Sequence, residues 1–503
     1  MSELRQIRSR TRLRNGLAAL ACVVIAGCAM GPDFKRPAAP AAGDYTSQPL
    51  ANTVSITNVV GGETQRFASG ADIAGDWWTL FHSPQLNALI EQSLTNNPDL
   101  KAAQAALLLA RENVLAQRGA YFPSVTGSFS AARQKDPKAA LAPVPSSNAY
   151  QYNLFTPQVS VSYSPDVFGA SRRSMESLKA QQEGVRFQMI ATYTTLTANV
   201  VVTAIQEAAT EAQIDATRQL VDLNSNMVEI LRYQHTKGYV GRLDVVAQES
   251  QLAQVIATLP PLVKQSAQLR DLLAVLAGRF PNQNTDEKFD LASLQLPEEL
   301  PVSLPSQLVA QRPDVLQAEA NLHAASAEIG LAIANRLPNI TLTADAGSMA
   351  LSFDKLFSSG TGLWGLGAAA IAPLFQGGTL IHQERAAKAA YVQAAEQYRS
   401  TVLTAFENVA DTLTALQQDA EGLKAAADAA DDAQITLNLS QRQWQDGYIS
   451  YLALLSAEQA CQQARINLVQ AQANRYADTA ALFQALGGGW WHRADLTKDK
   501  NEQ

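Results

Sequence analysis

Five histidines, His82, His235, His323, His382 and His492, are the side chains best suited to hold a metal or carry a proton near neutral pH. They stand apart from one another, and none has a cysteine or carboxylate at the spacing of a ligand set. Neither a phosphate-binding loop nor a nucleophile elbow occurs in the chain. Of the three cysteines, Cys461 sits alone in a helical pattern and is expected as a small buried residue, while Cys22 and Cys28 lie near the N-terminus. The chain is therefore read as having no catalytic site and as needing no cofactor or metal. Its one reactive side chain with a defined context is Cys28.

That context is a targeting segment. Arg5, Arg8, Arg10, Arg12 and Arg14 form a positively charged start, and Leu17 to Ala26 form an apolar stretch too short to span a bilayer. It ends in Ile25-Ala26-Gly27-Cys28, which resembles the lipobox of bacterial lipoproteins, whose cysteine becomes the lipid-bearing first residue. Ala29 follows, where an aspartate would mark retention at the inner membrane, so the resemblance points to the outer membrane. Residues 1–27 are then a signal peptide that takes Cys22 with it. With Cys28 consumed by lipid, the mature chain has no disulfide in spite of an oxidising compartment. Removing residues 1–27 deletes five arginines and Glu3 and moves the formal charge from −7 to −11. So acidic a chain argues against nucleic acid as a partner. No other stretch reaches 18 apolar residues, so no membrane helix is expected.

Two very long helices organise the rest. Gly169 and Gly238 enclose residues 170–237, Gly378 and Gly447 enclose residues 379–446, and neither run contains proline. At ~1.5 Å per residue each would be a helix roughly 100 Å long. Stability on that scale has to come from packing. Leu220, Leu223, Met227 and Ile230 in the first run, and Val402, Phe406, Val409, Leu413 and Leu416 in the second, supply coiled-coil seams. The second pair of glycines lies 209 positions after the first, and Leu243, Val245, Val246 and Glu249 match Leu452, Leu454, Leu455 and Glu458 at the same offset. The chain reads as a tandem duplication.

Ahead of each long helix the apolar period drops to two. Val125, Gly127 and Phe129 are followed by Val159, Val161 and Tyr163; Ile340, Leu342 and Ala344 are followed by Trp364, Leu366 and Ala368. Hairpins are expected at about 122–164 and 338–373, the second with a loop six residues shorter. The remaining divisions are an extended, lipid-anchored leader over 28–75, a first repeat over 76–280 and an equatorial linker over 281–311. A second repeat over 312–486 and a C-terminal tail over 487–503, its charged part after Trp491 expected as disordered, complete the chain. Pro260, Pro261, Pro281, Pro297 and Pro305 are taken to mark an irregular belt between the repeats.

Four strands with one apolar and one polar face cannot close a barrel, and lipid does not tolerate an open edge, so chains must pool their strands. Several motifs then converge. Gly31-Pro32-Asp33-Phe34-Lys35-Arg36-Pro37, Asp76-Trp77-Trp78, Leu276-Ala277-Gly278-Arg279, Arg312-Pro313-Asp314-Val315 with Ala318-Glu319, Pro373-Leu374-Phe375, and Leu486-Gly487-Gly488-Gly489-Trp490 resemble the outer-membrane efflux lipoproteins of the TolC/OprM type, NodT branch. The resemblance covers nearly the whole mature chain. It implies a mixed α and β membrane protein, a homotrimer forming one 12-stranded outer-membrane β-barrel continuous with a long α-helical periplasmic barrel. The expected function is that of a passive exit duct in a tripartite pump. Small molecules would arrive from an inner-membrane pump through a periplasmic adaptor, also called a membrane fusion protein.

The same resemblance implies that the helix tips contact the adaptor and open like an iris. The matching residues are Gly238, Tyr239, Gly241, Gly447, Tyr448, Ser450, Tyr451 and Leu452. Relatives often carry an aspartate two residues after the second tip glycine; Ile449 stands there, which leaves Asp244 and Asp446 as the candidate gate carboxylates. Two alternatives stay open: a type I secretion conduit for polypeptides, and a lipid-anchored periplasmic helical scaffold without a pore.

Overall fold

Glycine and proline set the limits of the helices. The computed structural model describes residues 29–40, 43–47, 49–139, 144, 149–283 and 289–497; the expected signal peptide over 1–27 and the expected lipid-bearing Cys28 lie outside them. In chain order the helices are α1 (Pro84–Asn96), α2 (Pro98–Arg118), α3 (Ala170–Thr236), α4 (Arg242–Leu276), α5 (Pro305–Gln311), α6 (Pro313–Ala334), α7 (Thr379–Gln445), α8 (Tyr451–Ala485) and the single turn α9 (Ala494–Thr497). The strands are β1 (Arg66–Ser69), β2 (Ser124–Lys135), β3 (Gln151–Tyr163), β4 (Glu299–Val302), β5 (Asn339–Ser348) and β6 (Gly362–Ile371). Both α3 and α7 have 67 residues, ending one residue short of the expected Lys237 and Asp446. The chain divides into two compact units.

The first unit holds the four-stranded antiparallel sheet β2-β3-β5-β6. Its register sorts the side chains. Val125 pairs with Val161 and Val161 with Ala344, which in turn pairs with Leu366; Val159 pairs with Ala346, which pairs with Trp364. Because side chains alternate along a strand, these residues share one face, and Thr126, Ser160, Gln158, Asp345 and Thr343 share the other. On the polar face Gln158 Nε2 donates to Asp345 Oδ1 at 2.9 Å and to Ser160 Oγ at 3.0 Å. On the apolar face Val125, Phe129, Trp364 and Leu366 are exposed in the single chain.

The same unit grips the first described residues as a strap. Arg173, buried near the start of α3, donates to Met30 O at 2.9 Å, Gly31 O at 3.3 Å, Asp33 Oδ1 at 2.9 Å and Glu176 Oε2 at 2.7 Å. Burial alone would lower the pKa of this guanidinium, but its bonds to Glu176 and Asp33 raise it above the usual arginine value. Gly31, at φ +94°, crosses Gly330 so closely that a Cβ there would lie 2.4 Å from Gly330 Cα. Phe34 stacks on His323 at 4.3 Å, His323 Nε2 lies 3.0 Å from Glu176 Oε1, and Arg36 pairs with Glu319 at 2.9 Å. The sequence motif Gly31 to Arg36 is thus a binding segment for this unit's own helices.

The second unit is built around aromatic residues of the belt. Trp77 stacks on Phe483 at 5.1 Å, and the buried Tyr476 hydroxyl donates to Leu294 O at 2.9 Å. The two Asx/Arg-Pro-Asp motifs are helix starts with proline in the first turn. Asn97 Oδ1 accepts from the amides of Asp99 and Leu100, at 2.9 and 3.1 Å. Arg312 pairs with Asp314 at 2.7 Å and donates to Ala485 O at 2.9 Å.

Four expectations are corrected. Pro260 and Pro261 lie inside α4 rather than in an irregular belt. They remove the amides that would bond to the carbonyls of Ile256 and Ala257, and those residues are exposed, so water can take the place of the lost donors. The leader is extended but does not merely lie on the surface: β1 pairs in parallel with β4 across more than 200 residues, and Thr53 and Gln65 are buried. The tail carries α9. The first hairpin is longer mainly in its strands, of 12 and 13 residues against 10 and 10, with connections over 136–150 and 349–361.

Candidate functional site

The two helix tips are built alike. The amide of Gly238 donates to His235 O at 3.0 Å and that of Tyr239 to Gln234 O at 2.9 Å; Gly447 and Tyr448 donate to Trp444 O at 3.0 Å and Gln443 O at 2.8 Å. Both glycines have φ +80°, the left-handed cap that satisfies the last carbonyls of a helix. Gly241 and Ser450 then open α4 and α8 in ordinary extended geometry, φ −77° and −72°. Glycine at 241 is therefore not required by the backbone.

The candidate gate carboxylates differ. Asp244 Oδ2 accepts the Gly241 amide at 3.2 Å, a helix-start contact, and Ala453 occupies the corresponding place in the second tip. Asp446 is exposed at the C-terminal end of α7, where the helix dipole disfavours an acid. Helix stability does not explain its presence.

Tyr239, Tyr448 and Leu452 are 80%, 81% and 66% exposed, an unusual state for side chains of this size. Leu243 is equally exposed and was not among the expected tip residues, although the 209-residue offset pairs it with Leu452. Tyr451 departs from the expectation: it is buried, edge-on to Trp444 at 5.9 Å. It belongs to a core shared by both tips, with Leu231, Val245, Leu437, Leu454, Leu455 and Cys461. Burial raises the pKa of its hydroxyl, and the carboxylates of Glu458 and Asp244 add to the effect. Cys461 is buried there as a small residue.

Among the described residues no group of three or more His, Cys, Asp or Glu could hold a metal ion, and no helix is long and apolar enough to cross a membrane. Duplicated helix tips and a sheet with one exposed apolar face are the features a functional assignment has to meet. The sequence profile of the family described as outer membrane efflux protein matches residues 89–279 and 304–488, one segment in each repeat. The chain belongs to the outer membrane efflux protein family.

The chain is 29% identical over 489 residues to the probable efflux pump outer membrane protein TtgC of Pseudomonas putida, covering 96% of this chain and 97% of the relative. It is 30% identical over 491 residues to the probable efflux pump outer membrane protein SepC, also of Pseudomonas putida, covering 93% and 95%. The structure of the outer-membrane channel OprN superposes with a TM-score of 0.82 at 25% identity, over 92% of this chain and 100% of that one. The mixed α and β tandem-repeat fold is that of these channels. The protein is an outer-membrane component of an efflux pump and serves as its exit duct, in a family of channels rather than enzymes.

Proposed function

We propose that three copies close their sheets into one 12-stranded barrel in the outer membrane, with the long helices forming an α-helical periplasmic conduit. The observation that carries this reading is the sheet, with its exposed apolar face and with β2 and β6 paired on one side only. Open edges do not occur in hydrocarbon, and the smallest spanning barrels of this kind have about eight strands, so four from one copy cannot suffice. Cys28 carries the lipid. The tips, at Gly238, Tyr239, Gly241, Gly447, Tyr448, Ser450 and Leu452, meet the hairpins of a periplasmic adaptor, with buried Tyr451 supporting them from below. Asp244 and Asp446 stand nearest the narrow end and favour cations.

The cargo is small organic molecules handed over by an inner-membrane transporter. This class is supported by relatives described as antibiotic and toluene efflux proteins and as a pyoverdine export protein. Purified protein in planar bilayers is expected to pass ion current and to cross-link as a trimer. A monomer that passes none would refute the channel. Asp446→Ala and Asp244→Ala are expected to weaken cation selectivity; unchanged selectivity in both would remove these residues from the gate.

A further inference from the structure

The two repeats treat one glutamate differently. In the first, Glu249 on α4 pairs with Arg232 on α3 at 2.6 Å, and both side chains are well exposed. At the 209-residue offset the pair becomes Glu458 on α8 and Gln441 on α7, so the acid is kept and its cation is lost. Glu458 lies seven residues after Tyr451, two helical turns along the same face, and so follows the seam of Leu454, Leu455 and Cys461. Its Oε2 is buried without a hydrogen-bond partner, as is the nearby Tyr451 hydroxyl.

The charged groups of the surrounding elements are otherwise engaged, exposed or of the wrong sign. On α3, Arg232 is held by Glu249 of α4. On α8, Arg465 donates to Gln434 Oε1 at 2.5 Å. On α4, Asp244 accepts from Gly241, and Arg442 in the last turn of α7 and Asp446 just beyond it are both exposed. Burial alone pushes the Glu458 carboxyl up to about 7.

We propose that Glu458 is a proton-operated catch on the tip core: neutral, it stays in the apolar seam and holds the tips packed; ionised, it drives that seam apart. The proposal rests on the reading of the tips as the constriction. Its sign follows from linkage. A carboxyl whose pKa is raised in the packed state favours packing at low pH, and that preference is lost as pH rises from the ordinary glutamate range through about 7. Between pH 5.5 and 8 the ratio of packed to loosened tips should fall roughly 30-fold per copy.

The test uses the full-length protein in planar bilayers, with thermal unfolding in detergent as a second readout. In wild type, current should rise and thermal stability fall between pH 5.5 and 8. Glu458→Gln should flatten the current at its low-pH value and shrink the fall in thermal stability. Gln441→Arg restores the partner that Glu249 has, lets the ionised acid remain packed, and should shrink the rise in current and the fall in stability, with the tips staying packed at pH 8. Current that flows but varies with pH equally in wild type and Glu458→Gln overturns the catch and leaves the channel standing. If wild type passes no current at any pH, the channel reading fails, and pH-stability profiles that coincide for the two proteins overturn the catch independently.

Discussion

Replacing Arg173 with methionine should release the strap over residues 29–36 while leaving the sheet intact. Methionine keeps most of the apolar stem, so the loss is confined to hydrogen bonds. Asp33 is 92% exposed, and water replaces its contact at almost no cost. Glu176 keeps His323 at 3.0 Å. What remains is the loss of donors to Met30 O and Gly31 O, worth about 1 kcal/mol each. A total of about 2 kcal/mol corresponds to a roughly 30-fold larger population of detached strap. Lys35 lies in the strap and is exposed, so trypsin cleavage after it under native conditions reports that population when opening is fast relative to cutting. A roughly 30-fold faster cleavage of Arg173→Met than of wild type is expected. An increase below about threefold would refute the assignment of the grip to this arginine.

Leu366→Arg places a charge on the exposed apolar face of β6. It should cost up to about 2–4 kcal/mol if that face meets lipid, read as a reduced yield of folded protein in the outer membrane. Asp419 on α7 has its carboxyl pushed up to about 7 by burial and by neighbouring Asp478. Because the folded-state value lies above the unfolded one, stability should be highest in acid and fall as pH rises from about 4 through 7. Asp419→Asn should reduce the difference in melting temperature between pH 5 and pH 8; an unchanged difference would exclude this group as its source.

The helices and their tips were legible because their signals are local or repeated. Absence of proline between paired glycines located α3 and α7 to within a residue, and Gly238 and Gly447 take the left-handed cap that such glycines suggest. Alternation fixed the sheet's two faces. Features that depend on partners far along the chain were not legible. Nothing near Arg66 announces a parallel pairing with Glu299, and the charge of Arg475 gives no hint that it lies fully buried in the belt. Pro260 and Pro261 misled because a long helix held by its packing can carry interior prolines where the carbonyls they free are exposed to water. Tyr451 looked like its exposed neighbours in the turn, yet it begins the α8 seam that continues through Leu454 and Leu455. Its inward orientation could have been read from that spacing.

The ladder between β3 and β5 joins Val159–Ala346 and Tyr163–Leu342, so the two halves of the duplicated gene product meet edge to edge only after some 180 intervening residues have been delivered. Such distant closure is slow compared with forming either hairpin alone. The earlier hairpin must therefore wait in an unfinished, sticky condition until the later one arrives, which makes the interval after export the time when this polypeptide most needs an escort.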